Sequence, residues 1–292
     1  MSETRAADFP GRRVPATLLA LAAMCMAVVL AHAADIIITR DGSRYEGQVV
    51  ETSPQGVSIK LAAGQFTIPR DRIDRMQVEP PALVLKGIEA FERGNMKEAA
   101  FNLGQSVTKY PALDVGWAST GLLYYGRASL AIKDYAAAES TFKSFLDWYP
   151  DHQGVASARI GLAMVMVSKK EYEPALEKLR EIAEPLNAEL KPEGNAFAQA
   201  ADVNLTMGLC YEGIGKTKEA RDSYLKVVAL YPAPGFVEEA LCRAARLYAA
   251  AGDAQYANML YTQLIEEYPA SPFAREAIAE RSALKKPAGG AK

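Results

Sequence analysis

A six-residue phrase recurs five times along the chain, and each copy closes on alanine. The copies are Gly-Asn-Met-Lys-Glu-Ala at 94–99, Lys-Asp-Tyr-Ala-Ala-Ala at 133–138, Lys-Glu-Tyr-Glu-Pro-Ala at 170–175, Gly-Lys-Thr-Lys-Glu-Ala at 215–220 and Gly-Asp-Ala-Gln-Tyr-Ala at 252–257. Twelve residues before the closing alanine stands a small residue: Gly87, Gly126, Ala163, Gly208 and Ala245. Four residues after it stands a large one: Leu103, Phe142, Leu179, Tyr224 and Tyr261. Twelve after it stands Pro111, Pro150, Pro232 or Pro269, with Asn187 in the third copy. Each phrase lies between two apolar stretches of helical periodicity. The small residue lets two helices approach closely, and the large one fills the gap between them. Proline stops the second helix, because it cannot continue the hydrogen-bond ladder. A single hairpin of this kind cannot bury its apolar face, so the units must stack into an array.

This pattern resembles the tetratricopeptide (TPR) family over about 200 residues, 80–285. The tyrosine expected three after the small residue is present as Tyr211 and Tyr248 and departs to Ala90, Ser129 and Met166 elsewhere. The closing alanines are 39, 37, 45 and 37 residues apart. The longest step holds Pro185, Pro192 and Gly194, which mark a loop or broken helix end. Ser271 to Leu284 reads as a capping helix, and 286–292 as a disordered tail. Tyr-Pro pairs at 110, 149, 231 and 268 also resemble TPR proteins of bacterial cell envelopes, including Tol–Pal-associated and outer-membrane assembly factors.

Residues 34–79 carry a different period. Asp35–Thr39, Arg44–Glu51, Val57–Leu61, Gln65–Pro69 and Asp74–Val78 read as five short strands. Asp41-Gly42, Pro54-Gln55-Gly56 and Ala62-Ala63-Gly64 are the turns, and Gly47 is a candidate bulge or bend. Five strands in so short a span predict a small closed or nearly closed barrel. The order of turns is similar to SH3/Sm-like barrels. Sm-like proteins often bind RNA, but six basic residues against seven acidic ones deny this module the charge such binding needs.

The first 13 residues carry Arg5, Arg12 and Arg13, and Val14–Ala34 is uncharged and apolar, with Ala31-His32-Ala33 before Ala34. This describes a signal peptide, residues 1–33, cleaved after Ala33. The rival reading is an uncleaved membrane anchor, since about 20 apolar residues span a bilayer. Either way the remainder is exported, to the periplasm or cell envelope. Cys25 lies in this run, but Met24 before it is not the small residue that lipid modification wants.

TPR arrays bind on the concave wall built by their first helices. By register that wall includes Val84 and Ile88, Leu123 and Arg127, Ile160 and Met164, Leu205 and Leu209, Cys242 and Arg246. A Lys/Asn carboxylate clamp is not supported, because the first member of each pair is apolar or cysteine. Leu123, Arg127, Met164, Leu209 and Arg246 are the candidate partner-binding residues, lining a groove for an apolar helix or extended segment. The competing reading packs the apolar ones against neighbouring helices. The aromatics Trp117, Tyr124, Tyr125, Tyr135, Trp148 and Tyr149 are either interface anchors or core.

Catalytic chemistry is sparse. The chain has 3 Cys and 2 His, a net charge of −2 and no Gly-rich phosphate loop. His32 lies in the signal, leaving His152, which reads as a capping or surface residue. No catalytic residue, metal or cofactor is expected. Cys210 and Cys242 are either a disulfide or two buried thiols. The sequence therefore predicts a multidomain chain, a small all-β barrel followed by an all-α superhelical solenoid of five hairpins and a cap. Its expected role is a non-catalytic exported scaffold for a protein partner, without nucleic acid. The alternative is an oligomerisation or cell-wall module whose contact is made by the β domain.

Overall fold

The structure, a computed structural model, describes residues 34–188 and 193–284. The proposed signal peptide with Cys25, and the tail, lie outside the described residues.

Five strands come first: β1 (Asp35–Thr39), β2 (Arg44–Thr52), β3 (Gly56–Leu61), β4 (Gly64–Pro69) and β5 (Ile73–Gln77). A 3-10 turn at Arg70–Arg72 separates the last two. All pairings are antiparallel, in the order β4-β3-β2-β1-β5. β2 serves two ladders: Gly47 pairs with Asp35 on β1, and Gln48 pairs with Lys60 on β3. A Cβ on Gly47 would collide with the carbonyl oxygen of Lys60, so only glycine lets the strand bend at this crossing.

Of the closed or nearly closed barrel expected, full closure is not seen. Among the described residues β4 and β5 share no ladder, and the sheet stays open. Its apolar face is covered by the helical array instead. Ile37, Val49, Val57, Ile59, Ile68 and Val78 form one buried cluster with Leu113 and Ala118. The Trp117 indole N–H donates to the Val78 carbonyl at 2.8 Å, and its ring meets Tyr110 edge-on at 5.3 Å. Arg70 donates to the carbonyls of Ser53 and Pro111, and the buried Tyr149 hydroxyl donates to Leu113. Trp117 and Tyr149 are therefore the fastening of sheet to array rather than exposed anchors.

Among the described residues the array has five hairpins. They are α1 (Ala82–Glu92) with α2 (Met96–Gly104), α3 (Gly116–Ala131) with α4 (Tyr135–Trp148), α5 (Val155–Ser168) with α6 (Tyr172–Ala188), α7 (Gly194–Gly213) with α8 (Thr217–Leu230), and α9 (Val237–Ala250) with α10 (Ala254–Glu267). α11 (Pro272–Leu284) caps the end, with proline at its first position, where a missing N–H costs nothing. Asn95, Asp134 and Asp253 each cap a second helix by accepting an N–H three residues on.

The repeat positions pack as their spacing implies. A Cβ at Gly87 would meet Leu103 at 2.5 Å, one at Gly126 would meet the Phe142 ring at 2.6 Å, and one at Gly208 would strike Tyr224. Helices α4, α8 and α10 each end two residues before Pro150, Pro232 and Pro269. The third hairpin departs from expectation. α6 runs through Pro185 to Ala188, where the sequence predicts a break. Burial of Ile182 and Ala183 in one apolar cluster with Ile160, Ala163, Leu179 and Val203 outweighs the hydrogen bond that proline forfeits.

Candidate partner-binding channel

Each wall pair divides into a buried and a half-open residue. Val84, Ile160 and Cys242 are 0% exposed and Leu205 is nearly so, so these first members are core. Ile88, Arg127, Met164, Leu209 and Arg246 are half-buried and face outward from it. The packing reading holds for the first set, and only the second can meet a ligand. Leu123 is the exception among the first members, being half-buried as well.

The structure gathers three of the five candidate residues. Arg127 and Met164 line a recess of about 320 Å3 together with Phe91, Leu130, Asp202 and Phe236. Leu123 and Arg127 line an adjoining recess of about 240 Å3 with Tyr124, His152, Gln199 and Phe236. Arg127 and Phe236 line both, so the two recesses adjoin along the inner wall as one candidate channel, touched by all five hairpins. Phe91 stacks on Tyr124 at 4.1 Å, tying the first hairpin's wall to the second's. Leu209 is half-buried but lines neither recess. Arg246 is occupied at the far end, donating to Glu276 at 2.6 Å and to Glu280 at 2.7 Å, while Tyr261 donates to Glu280 at 2.6 Å. Arg246 therefore holds the cap onto α9.

At the centre of the channel the Arg127 guanidinium donates to the Asp202 carboxylate. This pair joins the second hairpin to the fourth, over the third. Asp202 is almost fully enclosed, its side chain 4% exposed against 29% for Arg127. Burial pushes the Asp202 carboxyl upward, and the arginine pulls it back. Asp202 escaped the sequence reading, although a lone acid inside the apolar run Ala200–Leu205 is the signal that marks it. Gln199 beside it donates to the Gln153 carbonyl at 2.9 Å, closing the channel wall.

Chemistry is sparse here too. His152 sits in the turn before α5, where its Nδ1 accepts the Gly154 N–H at 2.9 Å. Among the described residues no group of three or more His, Cys, Asp or Glu could hold a metal ion, and no helix is long and apolar enough to cross a membrane. Cys210 and Cys242 are buried free thiols. Burial pushes Cys210 up to about 12 and Cys242 to about 11. At pH 8 roughly one in 10⁴ and one in 10³ would be thiolate, before any steric block. Alkylation mapped by mass spectrometry is expected to label neither in the native protein and both after denaturation. Rapid native labelling, or no labelling at all, would contradict the burial or reveal a disulfide.

The stacked hairpins define a helical-repeat solenoid. The family model described as "Tetratricopeptide repeat" matches residues 202–233 and 239–271, the fourth and fifth hairpins. The chain thus contains TPR repeats, and such repeats generally act as non-catalytic scaffolds that bind other proteins. Among solved structures it is similar to a thermophilic TPR protein of Thermus thermophilus, at 17% identity over 69% of this chain and 96% of that one, with a TM-score of 0.51. It also aligns with MamA of Desulfovibrio magneticus, at 19% identity over 65% of this chain and 95% of that one, TM-score 0.42. No curated protein matches the sequence.

Proposed function

We propose that this chain is an exported, non-catalytic TPR scaffold of the periplasm or cell envelope that holds an extended segment of a protein partner in its inner channel. The observation that carries the mode of binding is the Arg127–Asp202 contact across the wall. An α-helix with its side chains is about 10–12 Å wide. It does not pass where two side chains already touch, whereas an extended segment lies along the wall beside them. Phe91, Leu123, Met164 and Phe236 offer that segment apolar contact, and Arg127 has donors left beyond the one given to Asp202. Export rests on residues 1–33, whose basic start, apolar run and Ala-His-Ala ending have the form of a signal peptide.

A photo-crosslinking residue at Met164 tests the channel in intact cells. An adduct is expected at Met164 and not at Lys218 on α8. A Leu123→Glu substitution, at a half-open position, should reduce the Met164 adduct about tenfold while leaving the unfolding transition in place. Equal labelling at both sites, or indifference to Leu123→Glu, would remove the channel as the binding surface.

A further inference from the structure

The two edges of the open sheet are unlike. β5 carries Asp74 and Arg75 on its exposed edge, the usual defence of a strand end against pairing with another chain. β4, Gly64-Gln65-Phe66-Thr67-Ile68-Pro69, has no charged residue, and its ladder with β3 runs without a bulge. Its first four residues are exposed, and Phe66 keeps 45% of its surface in water.

The backbone pattern says which groups are free. Ala62-Ala63 closes the β3–β4 hairpin, so Leu61 and Gly64 form the first hydrogen-bonded pair. Antiparallel pairing alternates, so the even-numbered residues of β4 face β3 and the odd-numbered ones face away. The Arg70 N–H, which donates to the Gln55 carbonyl at 3.1 Å, fits the same parity. Gln65 and Thr67 therefore present their N–H and C=O groups to the open edge. Pro69, also odd, offers only a carbonyl.

We propose that β4 pairs antiparallel with β4 of a second copy, about a two-fold axis through Phe66, making one continuous sheet across two chains. In this register Gln65 faces Thr67 of the second copy and Thr67 faces Gln65. Both are outward positions, so four backbone hydrogen bonds form and no donor is wasted. Phe66 lies opposite Phe66 as a non-hydrogen-bonded pair, the closer kind, in which side chains touch. Both rings lie on the sheet face of Ile59, the partner of Phe66 within one chain, so pairing extends the buried core across the seam. Shifting the axis to Thr67 would set Gln65 against Pro69, which has no N–H to give. Charge permits the pairing, since no like charges meet along an uncharged strand. A short edge gives a weak, reversible dimer. It would set two channels on one assembly and strengthen binding to a repetitive or paired partner by avidity. The pairing does not rest on the channel reading, and each can fail alone.

Two differently tagged full-length copies test it by co-purification. Wild-type copies should co-purify. Two Phe66→Lys copies, or two Phe66→Glu copies, should lose at least about tenfold, the effect of like charges held near 5 Å at the lower effective dielectric near a protein surface. One Phe66→Lys copy with one Phe66→Glu copy should regain it, which a misfolded variant would not do. Phe66→Cys copies should join as a disulfide dimer, while Lys60→Cys copies should not. The proposal is overturned if wild-type copies do not associate. It is equally overturned if like-charged variants associate unchanged, if the mixed pair is not rescued, or if the product is a larger ring joined from β4 to β5.

Discussion

Removing the Arg127 guanidinium by Arg127→Ala is expected to destabilise the protein by about 3–5 kcal/mol in urea unfolding, because Asp202 stays enclosed with its charge unopposed. The deficit should narrow as the pH falls. Burial already holds the Asp202 carboxyl above its ordinary value, and Glu239 nearby pushes the same way. Loss of the arginine raises it further. A carboxyl raised in the folded state favours folding at low pH and loses that advantage as the pH rises through its folded value. The variant should therefore look closer to wild type near pH 5 than at pH 7. Replacing both partners, Arg127→Met with Asp202→Leu, should recover most of the loss, since no buried charge remains. A deficit independent of pH, or a double variant as unstable as the single, would show that the pair contributes by packing alone.

Phe142→Ala is expected to cost about 3–5 kcal/mol. The ring is fully buried, and the backbones of Gly126 and Gly161 approach it so closely that a Cβ at either would collide with it. Phe142 thus packs its own hairpin together and receives the next one. Gly161→Ala alone should also destabilise, by overpacking. In the Phe142→Ala background the added methyl enters vacated space, so the combined loss should be smaller than the sum of the two. Additive losses in thermal or urea unfolding would mean that Gly161 does not pack against this ring.

Much of the array was legible because its rules are local. Each closing alanine, with the small residue twelve before it and the large one four after, lies within one hairpin, and Gly87–Leu103, Gly126–Phe142 and Gly208–Tyr224 meet inside their own repeats. The strands of the β module could be read for the same reason, since alternation and turn residues are local signals. What misled was nonlocal. Pro185 reads as a breaker, yet α6 continues past it because its neighbours are buried against another hairpin. Five strands read as a barrel, yet the sheet leaves its seam open because Leu113 and Ala118, far along the chain, cover its core.

The sequence by itself determined the hairpins, their number in register, the five strands and the scarcity of catalytic groups, because periodicity, turns and composition act over a few residues. The tertiary structure alone decided which wall residues remain open, since that depends on the pitch at which hairpins stack. It placed Arg127 against Asp202, 75 residues away, joining the second hairpin to the fourth. It also left β4 with an uncharged, unpaired edge, because the sheet buried its core against helices instead of closing on itself.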